Sequence, residues 1–163
     1  MSEPTTELGR VDHAVNPEYA RALAAMNTSR KCTFCDTNRM KNQPIGPERS
    51  HWWVKHNDFP YPHQKLHLVL ILKEHKETLA QITGEEFAEL LPIMRWAEEE
   101  FKLPGGMLAM RFGAFDHSGA TIAHLHCHIQ VPDQTGPVVA TVFLPDKLRD
   151  MLKRKEPIWQ PWL

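Results

Sequence analysis

His124-Leu125-His126-Cys127-His128-Ile129-Gln130 places three histidines two residues apart, with apolar residues between them. Successive side chains on a β-strand point to opposite faces. On a strand, His124, His126 and His128 therefore share one face, while Leu125, Cys127 and Ile129 turn towards a core. A row of imidazoles adds nothing to packing. It can bind a metal, supply a nucleophile or hold the oxygens of an anion. Ten histidines in 163 residues make some clustering a matter of chance, and a lone strand histidine is ordinarily a surface or satisfied core residue. A metal site with a purely structural role is the alternative to chemistry here.

Composition bounds the rest. A chain of this length is most simply one domain with a real core. Its 42% hydrophobic and 24% charged residues are ordinary for a globular protein. A net charge of -1 lacks the basic face needed to grip nucleic acid, but leaves room for a local anion site. No apolar run reaches the roughly 20 residues of a membrane span, so no membrane or nucleic-acid partner is expected. The stretch Met1 to Arg10 is polar and acidic, unlike a signal peptide, which points to the cytoplasm. Three cysteines form a poor disulfide set, and a close pair reads better as metal or redox chemistry.

Along the chain, residues 1–16 read as a flexible segment and 17–163 as a single domain. Asn16-Pro17 opens a helix through Tyr19, Leu23 and Met26. Lys31 to Glu48 is turn-rich after its cysteines. His51 to Asn57 and Leu66 to Leu72 read as strands, the second apolar enough for the middle of a sheet. Thr83 and Glu86 form a capping-box pattern. It precedes a helix whose core face carries Phe87, Leu90, Leu91, Met94 and Phe101, bent but not ended by Pro92. Met107 to Phe112, Ala123 to Val131 and Val138 to Phe143 read as strands, and Asp146 to about Lys155 as a short helix. Trp159 and Trp162 are candidates to dock on the body or a second subunit. The class is α+β with a mainly antiparallel sheet flanked by helices.

Cys32-Thr33-Phe34-Cys35 is a CxxC pair. A redox pair belongs between a strand and a helix of a thioredoxin-like unit, and the turn-rich sequence that follows does not fit. Zinc needs two further ligands. Two reduced cysteines near a surface histidine are the remaining alternative.

The segment HLHCHIQ resembles the HxHxHxx signature of the histidine triad (HIT) superfamily. Gly119-Ala120-Thr121-Ile122-Ala123 is similar to that family's small-residue turn and hydroxyl residue, and the order of elements agrees from Asn57 to Gln130. The resemblance implies a HIT-like fold and a homodimer with joined sheets. It also implies a zinc-bearing branch similar to galactose phosphate uridylyltransferases, in which Cys32, Cys35, His75 and His124 hold a structural zinc. His126 takes the place of the family nucleophile, forming a nucleotidyl-imidazole with the α-phosphate of a nucleotide. His128, His67 and Thr121 take the places that contact phosphate or leaving group, and Asn57 the place that meets ribose hydroxyls. Alternatively, His67 is an exposed strand-end histidine, Thr121 a turn hydroxyl and Asn57 a turn starter. Trp52, Trp53 and Phe59 are candidates for base stacking or core.

The sequence departs from the family in places. Many hydrolases carry glutamine where Ala120 stands. The uridylyltransferase and phosphorylase branches usually replace the residue at His128 with glutamine. Two extra residues lie between Pro60 and His67. The resemblance thus implies an enzyme acting on a small nucleotide, a dinucleoside polyphosphate or nucleoside phosphoramidate, with zinc as its cofactor. A phosphorylase or transferase with another acceptor, and a non-catalytic zinc or nucleotide-binding module, remain as alternatives.

Overall fold

The computed structural model describes residues 7–136. The expected strand Val138 to Phe143, the helix from Asp146, Trp159 and Trp162 lie outside the described residues. Four strands, β1 (Trp52–His56), β2 (Gln64–Leu72), β3 (Met107–Arg111) and β4 (His126–Pro132), form one antiparallel sheet in the order β1-β2-β4-β3. As its apolar run predicts, β2 is central, paired on both sides. It starts two residues earlier than expected, with a register shift between Gln64 and Leu66.

Alternation divides the sheet into two buried faces. Leu66, Leu68, Leu70 and Leu72 join Trp52, Val54, Leu125, Cys127, Ile129 and Val131 on one face. Leu90, Ile93 and Ala97 cover it from α4 (Leu90–Glu100). Val69, Ile71 and Met40 form a smaller cluster that Phe34 and Trp53 adjoin.

The capping box forms as expected, with Thr83 and Glu86 bonding each other's backbone at the start of α3 (Gly84–Ala88). Two other helix readings need correction. The helix is divided rather than simply bent: α3 stops at Ala88, and α4 begins at Leu90. Pro92 has no N–H to give Ala88, and in the first turn of α4 that absence costs nothing. The expected core face holds in part, since Leu90 is buried and Met94 and Phe101 pack against the core, but two of its members turn outward. Phe87 and Leu91 are 57% and 48% exposed, whereas Leu90, Ile93 and Ala97 are buried. The sequence carries two apolar stripes about 100° apart, and the sheet takes the one with Ala97, which allows close approach. Trp52 is core and not a base platform: it is 1% exposed, and its Nε1 donates to the Glu86 carbonyl.

On the opposite side of the sheet lies α1 (Pro17–Ser29), capped by the Asn16 side chain, which accepts from Tyr19 N. Residues 8–13, inside the segment read as flexible, make ordered contacts. Gly9 bridges to Ile122, Arg10 N donates to the Thr121 carbonyl and Ala123 N donates to the Leu8 carbonyl. Asn27 of α1 binds this strap three times, accepting from Leu8 N and Gly9 N and donating to the Gly9 carbonyl. A short helix that the turn-rich reading missed, α2 (Thr37–Lys41), follows the cysteines and is capped by Asp36.

Candidate active site and metal centre

The register of the sheet assembles the site. His126 pairs with Ile71 on one side and Arg111 on the other, His128 with Val69 and Ala109, and Gln130 with His67 and Met107. Directly opposed residues share a face. One face of three strands therefore presents His67, His126, His128 and Arg111 together. These four line a cavity with Asn57, Phe59, Tyr61, Tyr19, Phe34 and Thr121.

Strand β4 begins at His126, later than the expected Ala123. His124 lies just before it. Its ring remains on the same side as that of His126, because the Phe34 ring meets both edge-on, at 5.6 and 5.2 Å. The two histidines nevertheless face different surroundings.

His126 Nδ1 lies 2.6 Å from the His124 carbonyl. A carbonyl only accepts, so this nitrogen carries the proton, and Nε2 keeps its lone pair. Burial holds His126 down to about 4, with Arg111 adding to the effect against the opposing His124 carbonyl. The imidazole is thus neutral at pH 7, the form a nucleophile requires. The rings of His126 and His128 lie 5.0 Å apart. His128 is held well below its ordinary value by burial and then by its neighbours His126, His67 and Arg111.

His67 is 6% exposed, and burial lowers it to about 4. Its Nε2 lies 3.0 Å from His128 Nδ1 and 3.0 Å from Asn57 Nδ2. Asn57 Oδ1 accepts from Phe59 N, which fixes the amide with its NH2 towards His67. Asn57 thus spans the β1–β2 turn and a site histidine. Thr121 Oγ1 lies 2.6 Å from the Tyr19 hydroxyl.

Cys32, Cys35, His75 and His124 converge beside this cavity, with one donor atom from each inside a cluster spanning 4.8 Å. The lone pairs are prepared for a cation. His124 Nε2 donates to the Leu72 carbonyl at 2.7 Å, which leaves Nδ1 for the sulfurs at 3.5 and 3.6 Å. His75 Nε2 faces Glu77 Oε1 at 3.3 Å, and its Nδ1 faces Cys35 Sγ at 3.3 Å. A ligating histidine whose second nitrogen donates to a carbonyl or carboxylate is the usual arrangement around a bound metal. Two sulfurs and two imidazoles form a donor set suited to tetrahedral zinc. These four residues can hold a metal.

The sequence did not single out four of these cavity residues, Phe34, Arg111, Tyr19 and Tyr61, the last stacked on the His67 ring at 5.5 Å. Phe34 sits inside the CxxC, where its role is invisible until the loop folds against the sheet. Arg111 joins His126 only through cross-strand register. Tyr19 belongs to a helical stripe with Leu23 and Met26, which reads as core.

With this architecture and triad in place, the comparisons are consistent. The family model described as "Scavenger mRNA decapping enzyme C-term binding" matches residues 31–141. The chain is a histidine triad protein and belongs to that family. Among solved structures, it is similar to a hypothetical protein from Leishmania major, at 21% identity over 78% of this chain and 94% of that one, with a TM-score of 0.51. It is also similar to a histidine triad protein from Clostridium difficile, at 19% identity over 67% and 96%, with a TM-score of 0.50. These likenesses concern the fold. No curated protein sequence matches it significantly.

Proposed function

We propose that the chain is a nucleotide phosphohydrolase or nucleotidyltransferase that works through a covalent nucleotidyl intermediate on His126. The observation that carries this reading is the His126 Nδ1 bond to the His124 carbonyl, which leaves Nε2 unprotonated among the cavity residues. Nε2 attacks the α-phosphorus, the N–P bond forms, and the electron pair of the broken P–O bond departs with the leaving group. Charge that builds on the imidazole is stabilised by the same carbonyl. His128, His67 and Arg111 surround the phosphoryl oxygens, with the formal positive charge coming from Arg111. Thr121 serves the phosphate or leaving group, and Asn57 the ribose side of the cleft. Water or another acceptor then displaces the nucleotide from His126.

The substrate is a small nucleotide. The name of the matched family favours a dinucleotide joined through a 5′–5′ polyphosphate, as in an mRNA cap, over a phosphoramidate. Structural zinc on Cys32, Cys35, His75 and His124 fastens the loop carrying Phe34 against His126, in the manner of uridylyltransferase-type sites. It takes no part in bond breaking. The cytoplasm fits a reduced cysteine pair. A homodimer is proposed through β3, which among the described residues pairs on one side only and whose Met107 and Leu108 are exposed. Light scattering at a single-chain mass would exclude it. Among the described residues, no helix is long and apolar enough to cross a membrane.

The test is turnover of diadenosine polyphosphates and a cap dinucleotide in 18O-labelled water, with and without added phosphate, for the native chain and His126→Asn. One label in the released nucleoside monophosphate, and loss of more than about 10³-fold in the variant with binding retained, is expected for a hydrolase. Nucleoside diphosphate formed only with added phosphate would assign the phosphorylase alternative. Binding without turnover would assign a binding module.

A further inference from the structure

The family match begins at residue 31, yet the chain before it reaches the cleft. Tyr19, on α1, stacks on Phe59 with ring centroids 4.7 Å apart and planes at 23°. Its hydroxyl crosses to Thr121 Oγ1 at 2.6 Å. Phe59 belongs to the turn after β1, and Thr121 to the stretch leading into β4. Tyr19 therefore spans the cleft from one wall to the other.

Thr121 is held at two points by this preceding segment. Its carbonyl accepts from Arg10 N at 3.0 Å, and its hydroxyl meets Tyr19. The carbonyl of the previous residue, Ala120, accepts from His13 Nδ1 at 2.9 Å. Asn27 locks the strap to α1, so the two grips move as one. A hydroxyl has one hydrogen and two lone pairs, and an isolated threonine hydroxyl can rotate among several partners. A phenol is the stronger acid and is the natural donor to an alcohol. Burial pushes the Tyr19 phenol up to about 12, so it keeps its proton at neutral pH.

We infer that Tyr19 is a positioning residue for the reaction at His126: its hydroxyl donates to Thr121 Oγ1 and directs the threonine hydrogen at the oxygen leaving phosphorus. Thr121 donates a hydrogen bond without transferring its proton. The electron pair of the P–O bond goes to the leaving oxygen, and the hydrogen bond stabilises the charge gathering there. The inference rests on the proposed reading of His126 as nucleophile. It adds that the segment before the matched region completes the site, and that the hydroxyl pair acts on departure rather than binding.

The experiment uses the full chain and adenosine 5′-phosphate esters of phenol, 4-nitrophenol and 2,4-dinitrophenol, three leaving groups of decreasing basicity. Tyr19→Phe keeps the ring and the Phe59 stack but removes the hydroxyl. Its kcat is expected to fall roughly ten-fold on the phenyl ester and progressively less along the series, with KM little changed. A bond that only tacks α1 in place would not discriminate between leaving groups. Thr121→Val interrogates the same bond from the other end, including where Tyr19→Phe folds poorly. The double variant should be no slower than Thr121→Val alone. Loss that is uniform along the series, absent, or additive in the double variant overturns the inference while leaving the nucleophile intact. A native chain inactive on all three esters overturns the reading at His126 and this inference with it.

Discussion

Residue by residue, the site is a set of imidazoles kept neutral by burial. His67 shows the consequence most simply. Lowered from 6.5 to about 4 by burial, it binds no proton in the folded chain between those values, whereas the unfolded chain does. Its contribution is therefore fully present above about pH 6.5 and is lost as pH falls towards 4; for this shift it is on the order of 3 kcal/mol. Urea unfolding at pH 7 and pH 5 should show lower stability at the acid value, and His67→Gln should flatten that dependence. An unchanged slope in the variant would contradict the account. Period-two spacing was legible because strand geometry carries it directly into space, which is why His126 and His128 share a face. Residues joined across the fold were not. Asn57 Oδ1 bonds the nearby Phe59 N, a local event within reach of the sequence, but its NH2 turns to His67 ten residues on. Arg111 meets His126 only because β3 and β4 pair in one particular register.

At the element scale, the CxxC loop ties the N-terminal segment to the sheet. Phe34, between the two cysteines, touches both His124 and His126. The four-residue cluster and His126 thus share a ring wall, with His124 two residues ahead of His126. Purified chain should hold about one zinc per molecule. Cys35→Ser should lower zinc content well below that and the unfolding midpoint by roughly 5–10 °C, as measured by elemental analysis and calorimetry. Full zinc occupancy in the variant would remove Cys35 from the ligand set. Of the elements, the four described strands were read to within a few residues, because apolar runs and alternation mark them. The α3–α4 face was read in part: Leu90, Met94 and Phe101 lie in or against the core as expected, but Phe87 and Leu91 are exposed, and Ile93 and Ala97 are buried in their place. Only the approach of the sheet decides between them.

At the scale of the whole molecule, a four-stranded sheet separates two tasks. One face is packed by α4 and gives the structure its main core. The other carries the histidines under the N-terminal strap, α1 and the cysteine loop. The α+β class and antiparallel order followed from strands in the middle of the chain with helices around them. The docking of residues 8–13 did not, since a polar opening segment carries no periodicity that would announce a bridge to Ile122. The proposed chemistry requires a covalent bond between His126 and a nucleotide, which a rapid-quench measurement detects. The full chain is mixed with a dinucleoside polyphosphate labelled at the α-phosphate, quenched within milliseconds to seconds under conditions that preserve phosphoramidates, and mapped by mass spectrometry. A nucleoside monophosphate adduct on His126, forming and decaying at rates that accommodate turnover, is the predicted result. Turnover with no adduct on His126 at any time, or an adduct on a different residue, would contradict it.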